Sequence, residues 1–179
     1  MRTITVGEFV SLDGVVEAPE KWHFPWLDDE MMAAIWSEPA ETLLLGRVTY
    51  ESFAGAFAGM PADDPVAAQM NRPEKVVVSR SLSSLSWVNS RLLPPGDVAA
   101  RVAELKAAPG GPITITGSIT LCRTLLAAGL VDRISLLVHP IVVGTGERFF
   151  AADGPGVPLT LEKCDVFGSG VTHQIYAVG

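Results

Sequence analysis

The segment Gly117–Phe150 most constrains the fold, because it reads as a glycine turn, a helix, a Gly-Leu-Val-Asp connection, an apolar strand and a second glycine turn. A strand that returns beside the strand preceding a helix builds a parallel sheet. A turn that opens onto a helix offers free backbone N–H groups, which can hold a phosphate. A second turn of this kind lies at Leu43–Glu51. Two such turns in one chain predict a nucleotide cofactor.

The remaining pattern also alternates between strand and helix, which predicts an α/β fold with a mainly parallel sheet. Residues 54–73, rich in Ala, Gly and Pro, are predicted to be a flexible excursion. No linker divides the chain, so residues 1–179 are expected to form a single domain. Strands are predicted at 2–11, 42–46, 75–79, 90–93, 113–116, 133–143, 160–167 and 171–178, with helices at 28–36, 48–53, 97–107 and 120–128. The last two strands form an antiparallel hairpin.

Composition excludes several classes of protein. A net charge of −7 argues against a surface for nucleic acid or an anionic membrane, since both need a basic patch. The N-terminus lacks the pattern of a signal peptide, and no apolar run approaches the ~20 residues that span a bilayer. A cytoplasmic location is therefore expected. Cys122 and Cys164 are predicted to be small core residues without a disulfide framework.

Several familiar catalytic motifs are absent from the sequence. It contains no Gly-x-Gly-x-x-Gly fingerprint, no Walker loop and no Gly-x-Ser-x-Gly elbow. His23, His139 and His173 are scattered and show no metal-ligand spacing, so no metal is expected. What remains is a site built from turns, in which a bound cofactor supplies the chemistry.

Three segments carry a resemblance to a known family. Gly46–Ser52 resembles the Gly-Arg-x-Thr-[Tyr/Trp]-Glu-Ser turn of dihydrofolate reductases. Ser11–Gly14 and Gly117–Phe150 resemble the reductase domain at the C-terminus of the bifunctional riboflavin-pathway deaminase-reductase. The resemblance runs from about Thr3 to Val178. It implies a three-layer dihydrofolate reductase-like fold with helices on both faces of the sheet. It further implies NADPH bound across the carboxyl ends of the strands, a small-molecule substrate and frequent homodimers.

The first turn is a candidate site for the cofactor pyrophosphate. Gly46 lets the strand exit sharply, and Arg47 and Thr49 then face the first turn of the following helix. Free N–H groups, a cation and a hydroxyl together suit a pyrophosphate. The alternative is a plain helix start with a solvated arginine.

Ser79, Arg80 and Ser81 directly follow a strand of three valines. The resemblance places the adenosine 2′-phosphate at this strand end, which implies NADPH rather than NADH. Serine hydroxyls and a guanidinium suit a dianionic phosphate. The alternative is a polar start of a loop.

Gly117, Ser118, Ile119 and Thr120 open the late helix. The resemblance implies that this turn contacts the cofactor near the nicotinamide and the pyrophosphate. The alternative is an ordinary N-capped helix.

A hydride acceptor also needs a proton, and three acids are candidates. The resemblance implies a carboxylate on the helix after the first loop, near Asp29 or Glu30. Glu30 shares a helical face with apolar residues, and a buried carboxyl group there would have a raised pKa. Asp13, in the first turn, could orient the substrate or the cofactor. The alternatives are acids that complement the helix dipole and a common Asp-Gly turn.

Aromatic residues cluster in and after the first loop, at Trp22, Phe24, Trp26 and Trp36. They could stack a pterin or pyrimidine ring, or equally form core or a dimer surface.

Three functions remain open from the sequence. The first is an NADPH-dependent reductase of a small heterocyclic or carbonyl substrate. The second is 5-amino-6-(5-phosphoribosylamino)uracil reductase of riboflavin biosynthesis, whose usual Asp-x-Pro-x-Leu-x-x-Arg element is missing after Thr49. The third is a non-catalytic protein that binds a dinucleotide or a drug.

Overall fold

The computed structural model describes residues 1–37, 40–61, 63–151, 154 and 156–179. Within them the strands are β1 Ile4–Ser11, β2 Thr42–Gly46, β3 Glu74–Val78, β4 Ser90–Leu92, β5 Ile113–Ile115, β6 Arg133–His139, β7 Leu159–Val166 and β8 Thr172–Val178. The α-helices are α1 Asp29–Ser37, α2 Arg47–Phe57, α3 Pro65–Asn71, α4 Val98–Ala107 and α5 Ile119–Ala127, and short 3-10 turns lie at Pro19–Lys21 and Phe24–Trp26.

The chain divides into two compact units. Unit 1 consists of Met1–Ile4 with Pro39–Leu130, and unit 2 of Thr5–Glu38 with Val131–Gly179. In unit 1 the strands lie in the order β4-β3-β2-β5, and each neighbouring pair is parallel. In unit 2 the order is β1-β6-β8-β7, where β1 and β6 are parallel and the two pairs made by β8 are antiparallel. The predicted α/β class with a terminal antiparallel hairpin is confirmed, whereas a single domain stays a prediction.

Buried apolar runs explain the parallel strands of unit 1. All five residues of β2 are buried, as expected for a strand covered on both faces. Beside it, a core cluster joins Leu43, Leu45, Val77, Tyr50 and Trp87. In unit 2, a second cluster of Met31, Leu137 and Val171 packs α1 against its sheet.

A lysine lies inside unit 1. Lys75 is fully buried, and its Nζ donates to the carbonyl oxygens of Asn71 at 2.8 Å and Pro73 at 2.9 Å. The ammonium lies 4.5 Å from the ring centre of Trp87. Burial lowers the pKa of Lys75 to about 8. The residue thus joins the end of α3 to the core.

The structure differs from the predictions in three places. The supposed flexible excursion contains the end of α2 and all of α3, and the Asp64 carboxylate caps α3 by accepting from Val66 and Ala67. β6 ends at His139 rather than Val143, because Pro140 has no N–H to donate to a sheet. Cys122 is buried as predicted, but Cys164 is exposed on β7.

Among the described residues, none of the helices is both long and apolar enough to span a membrane. The cytoplasmic location stays a prediction.

Candidate functional site

Two of the predicted phosphate-binding segments leave neighbouring strands of unit 1. In the parallel pair of β2 and β3, Gly46 lies opposite Val78. Arg47 and Ser79 therefore follow side by side at the carboxyl edge of these strands. In open α/β sheets, ligands bind at this edge.

The two glycine turns that the sequence marks separately are in contact. A Cβ on Gly46 would lie 2.8 Å from both Cβ and Oγ of Ser118. A Cβ on Gly117, whose φ is +71°, would lie 2.7 Å from Oγ1 of Thr49. Only glycine fits at either position without displacing its neighbour. The structure thus brings Gly46, Thr49, Gly117 and Ser118 together.

Two helices begin at this contact. α2 starts at Arg47 and has no side-chain cap on its first turn. α5 starts with Ile119 and Thr120, and the Ser118 hydroxyl accepts from the Leu121 N–H at 3.4 Å. The Gly117–Ser118 peptide bond is cis. Two helix N-termini with free N–H groups favour an anion between them.

Arg47 is available to such an anion. Its guanidinium donates to Glu51 at 2.7 Å, one helical turn along α2, and both side chains are nearly half exposed. Exposed ion pairs of this kind contribute little to stability. A phosphate can therefore compete for Arg47 without disrupting the fold.

The third predicted segment forms a turn after β3. The Ser79 hydroxyl accepts from the N–H groups of Ser81 at 3.1 Å and Leu82 at 3.0 Å. Arg80 is exposed, and within the described part of the chain it forms no hydrogen bond or ion pair. The end of β3 therefore carries an exposed positive charge. Arg47 and Arg80 are cations, and Thr49 and Ser79 carry hydroxyls, so these residues are chemically suited to hold phosphate.

Asp13, predicted to orient substrate or cofactor, has its carboxylate occupied by contacts inside unit 2. It accepts from the Ser11 hydroxyl at 2.7 Å, from Val143 N–H at 3.0 Å and from Gly144 N–H at 2.9 Å. Arg148 lies 3.6 Å away and also donates to the Asp13 carbonyl oxygen. The bond from Ser11, followed by those from Val143 and Gly144, lowers the pKa of Asp13 to about 2. Asp13 is therefore an anion at neutral pH, which clamps the loop after β6 and cannot donate a proton.

The two acids proposed as proton donors lie on the first turn of α1. Asp28, just before them, accepts from Met31 N–H at 2.8 Å, and this bond lowers the pKa of Asp28. Asp29 and Glu30 are both exposed. The Glu30 carboxylate accepts from Gly168 N–H at 2.6 Å, in the turn between β7 and β8. The expected burial of Glu30 in a cleft is thus wrong for this structure.

Sequence reasoning missed a cluster of histidines in unit 2. The ring of His23 stacks on Phe9 with centres 4.7 Å apart, and lies 6.0 Å from the ring of His139. Trp22 packs edge-on against His139 at 5.2 Å. Of the predicted aromatic cluster, Trp22 is buried as core, whereas Phe24 is 58% exposed.

Both imidazoles of this cluster are incompletely bonded, and their burial disfavours the charged form. Nδ1 of His139 donates to the Leu137 carbonyl oxygen at 2.9 Å, which leaves Nε2 as an acceptor. That nitrogen and Nδ1 of His23 are buried and have no partner among the described residues. Burial lowers the pKa of both histidines. The sequence did contain a signal for the position of His139. Side chains alternate between the two faces of a strand, so His139 lies on the same face of β6 as the apolar Leu137.

The described residues contain no group of three potential metal ligands.

A model of the RibD C-terminal domain family matches residues 2–173. Two proteins of Bacillus subtilis (strain 168) are similar over nearly their whole lengths. Uncharacterized protein YyaP is 26% identical over 181 residues, which cover 98% of this chain and 94% of that protein. Uncharacterized protein YwjB is 26% identical over 174 residues, which cover 94% of each.

Three solved structures share the fold over 99% of this chain. A putative riboflavin biosynthesis protein from Shewanella sp. PV-4 has a TM-score of 0.75 at 17% identity, with 99% of its chain covered. A pyrimidine reductase-like protein from Corynebacterium diphtheriae has a TM-score of 0.72 at 17% identity, with 92% covered. Dihydrofolate reductase from Enterococcus faecalis, complexed with NADP(H) and RAB-propyl, has a TM-score of 0.67 at 15% identity, with 96% covered. The predicted dihydrofolate reductase-like fold is confirmed.

Proposed function

Because the chain belongs to the RibD C-terminal domain family, we propose that it is an NADPH-dependent reductase of a small heterocyclic or carbonyl substrate. The observation that carries the proposal is the contact between the turns at Gly46 and Gly117, from which two helices start. Such a pair of N-termini suits the charge and the close backbone approach of a dinucleotide pyrophosphate.

Each predicted residue has a distinct part in binding. Gly46 and Gly117 keep the approach to the helix starts open, and Arg47 and Thr49 supply a cation and a hydroxyl. Ser118, Ile119 and Thr120 contribute the N-terminal turn of α5. Ser79, Arg80 and Ser81 receive the 2′-phosphate, because Arg80 is an exposed cation beside two serine hydroxyls.

The cofactor supplies the hydride, and the protein supplies orientation and a proton. Orientation requires the nicotinamide and the acceptor carbon to meet at roughly 3–3.5 Å. Glu30, Asp29 or an ordered water remains the proposed proton source. Glu30 would have to exchange its bond with Gly168 for one with the substrate. Asp13 holds the loop after β6 in place and acts only through that loop.

A second candidate is the aminouracil phosphate reductase of riboflavin biosynthesis. The family and the similarity to a putative riboflavin biosynthesis protein favour this substrate class. The third candidate, a non-catalytic binder of a dinucleotide or drug, predicts cofactor binding without oxidation by any acceptor.

The test is a titration of the intrinsic fluorescence of the four tryptophans with NADPH and, separately, with NADH. We expect saturable quenching with a preference for NADPH. Arg80→Ala should weaken NADPH binding by roughly 10- to 100-fold, since it removes a charge-assisted bond to phosphate, and should leave NADH binding nearly unchanged.

Arg72→Ala is the matched control, because Arg72 is exposed and lies outside the proposed cofactor residues. Equal weakening of both nucleotides by Arg80→Ala contradicts the assignment of Arg80. The absence of binding by either nucleotide at low-millimolar concentration overturns the reductase proposal itself.

A further inference from the structure

We propose that protonation of His23 and His139 releases residues 18–27 from the sheet of unit 2. This segment, which we call the histidine strap, contains the 3-10 turns Pro19–Lys21 and Phe24–Trp26. The proposal does not depend on the reductase function, because the residues that carry it lie in unit 2 and none of them is a proposed cofactor residue.

The backbone of the histidine strap bonds to itself. Within the described residues, the strap carbonyl oxygens accept from strap N–H groups, which are those of Lys21, Trp22, His23, Trp26 and Leu27. These bonds fix the shape of the strap but do not attach it to a strand. Side-chain packing therefore holds the strap on the sheet.

Three ring side chains make this attachment. Trp22 and His23 are each 7% exposed. The His23 ring stacks on Phe9 of β1, with ring centres 4.7 Å apart. Trp22 and Trp26 pack edge-on against His139 of β6, at 5.2 Å and 6.1 Å. An ionisable ring is thus one of the three anchors, and a second ionisable ring lies against the other two.

The histidine strap lies at the carboxyl ends of two parallel strands. His139 ends β6 and lies opposite Ser11, which ends β1. In open α/β sheets, ligands bind at this edge. Release of the strap would therefore uncover a surface of the kind on which ligands bind.

The first residue of the strap is strained. Ala18 has φ of 48° and ψ of 53°, which is the left-handed region. This conformation is unfavourable for a residue that has a Cβ, and it persists only where surrounding contacts impose it. Release would let Ala18 return to an ordinary conformation, so the strap is held against a local opposing strain.

A proton on either histidine would place a buried charge beneath the strap. The ring centres of His23 and His139 lie 6.0 Å apart. Nδ1 of His23 and Nε2 of His139 are buried and have no partner among the described residues. A buried cation without an acceptor is strongly unfavourable, and a second cation at this distance would repel the first.

The groups around the two rings do not offset this cost. Burial, followed by the charge of His139, lowers the pKa of His23, and Glu20 on the strap raises it by less. Burial likewise lowers the pKa of His139, while the backbone carbonyl groups of Leu137 and Val10 raise it by less. Both rings are therefore easier to protonate once they are in water.

The other acids of the elements around the strap have backbone partners. Glu17, just before the strap, accepts from Glu147 N–H at 2.8 Å. The acids of the first turn and of α1 with its flank that accept from backbone N–H groups are Asp13, Asp28 and Glu30. Asp29 and the strap residue Lys21 are exposed to water.

The sign of the pH dependence follows from these pKa directions. A released imidazole has the ordinary pKa of 6.5, and the pKa of the same ring in the closed strap is lower. The closed strap is therefore fully favoured above pH 6.5 and is lost as pH falls below it. The ratio of closed to released strap should fall by about tenfold per pH unit for each histidine that takes up a proton.

Hydrogen exchange of the full chain, followed by mass spectrometry between pH 7.5 and pH 4.5, tests the release. After correction for the intrinsic effect of pH on exchange, protection of the strap amides should fall by about tenfold or more. Protection in β1 and β6 should stay constant. Asp13, with a pKa of about 2, remains ionised throughout this range and keeps its loop in place.

His23→Phe keeps an aromatic ring on Phe9 but cannot take up a proton. At pH 5, its strap should retain about tenfold more of its protection than the wild-type strap. His173→Gln is the matched control, because His173 is also buried but binds Ser135 on β6 and lies outside the strap. Its strap should lose protection as the wild-type strap does.

A second readout needs no variant. The chain has three histidines, and at least two of their C2–H NMR signals should titrate below pH 6.5 in the folded wild type. Constant strap protection, equal loss of protection in His23→Phe and the wild type, or fewer than two such signals overturns the proposal. Loss of protection in β1 and β6 at the same pH as in the strap also overturns it, since the whole unit then opens.

Discussion

At the scale of single residues, two of the three acids that the sequence offers as candidates, Asp13 and Glu30, hold loops in place. Asp13 fixes the loop after β6 through Val143 and Gly144, and Glu30 fixes the β7–β8 turn through Gly168. A carboxylate that accepts several bonds is stabilised as an anion. Asp13 and Glu30, which the sequence offers as catalytic candidates, therefore also hold loops in place. A measurement with bound substrate is needed to distinguish this structural role from a catalytic one.

Because of Asp13, we expect the free energy of unfolding to depend on pH in the acid range. Its folded pKa of about 2 lies below the ordinary 3.8, so its contribution is present above pH 4 and is lost as pH falls through 2. We expect Asp13→Asn to lower the free energy of unfolding at pH 7. The difference from the wild type should shrink between pH 4 and pH 2.

Urea unfolding at pH 7, 5, 4, 3 and 2 measures this difference. Asp63→Asn is the control, because Asp63 is exposed and forms no hydrogen bond or ion pair within the described residues. A difference between Asp13→Asn and the wild type that stays constant down to pH 2 would contradict the clamp.

At the scale of elements, the candidate cofactor site is formed where strands of unit 1 end and helices begin. Gly46 and Ser118 lie so close that a side chain added at Gly46 would have to displace the turn at Ser118. Gly46→Ala would place a methyl group 2.8 Å from Ser118 and push the starts of α2 and α5 apart. We expect a loss of about 1–3 kcal/mol in the free energy of unfolding, as overpacking typically gives, together with weaker NADPH binding.

Gly55→Ala is a matched control in the same helix. Nothing lies within 4 Å of a Cβ at Gly55. Alanine there should stabilise α2 by up to about 1 kcal/mol, because glycine is a poor residue in a helix interior. Thermal unfolding and the NADPH titration compare the two variants. A Gly46→Ala protein that matches the wild type in both measurements would rule out the close contact.

At the scale of the whole molecule, net charge acts against the homodimer that the family resemblance implies. Two chains of charge −7 repel at long range, and salt screens this repulsion with a Debye length of about 10 Å at 0.1 M. We expect this dimer to dissociate less as NaCl rises from 20 to 300 mM. Sedimentation velocity at several salt concentrations measures this trend. Stronger dissociation in salt would mean that ion pairs hold the copies together.

Local sequence patterns were enough to predict the α/β class, all the strands, four of the helices and the glycine turns at Gly46 and Gly117. Hydrophobic periodicity and turn preference act over a few residues, so a single chain displays them. Local signals gave a wrong prediction where one segment contained both helix-forming alanines and helix-breaking prolines and glycines. The Ala- and Pro-rich segment after α2 was expected to be flexible, yet Asp64 caps the helix α3, which contains two alanines.

Which of these residues meet in space depends on the tertiary structure. Strand register set Ser118 beside Gly46 and gathered His23 and His139 around Phe9. Helix packing turned Glu30 toward Gly168, away from the cleft expected for it. A one-residue bulge placed Leu161 and Cys164 on one side of β7. Such contacts depend on how distant segments align, and a shift of one residue in a strand reverses the side to which a side chain points.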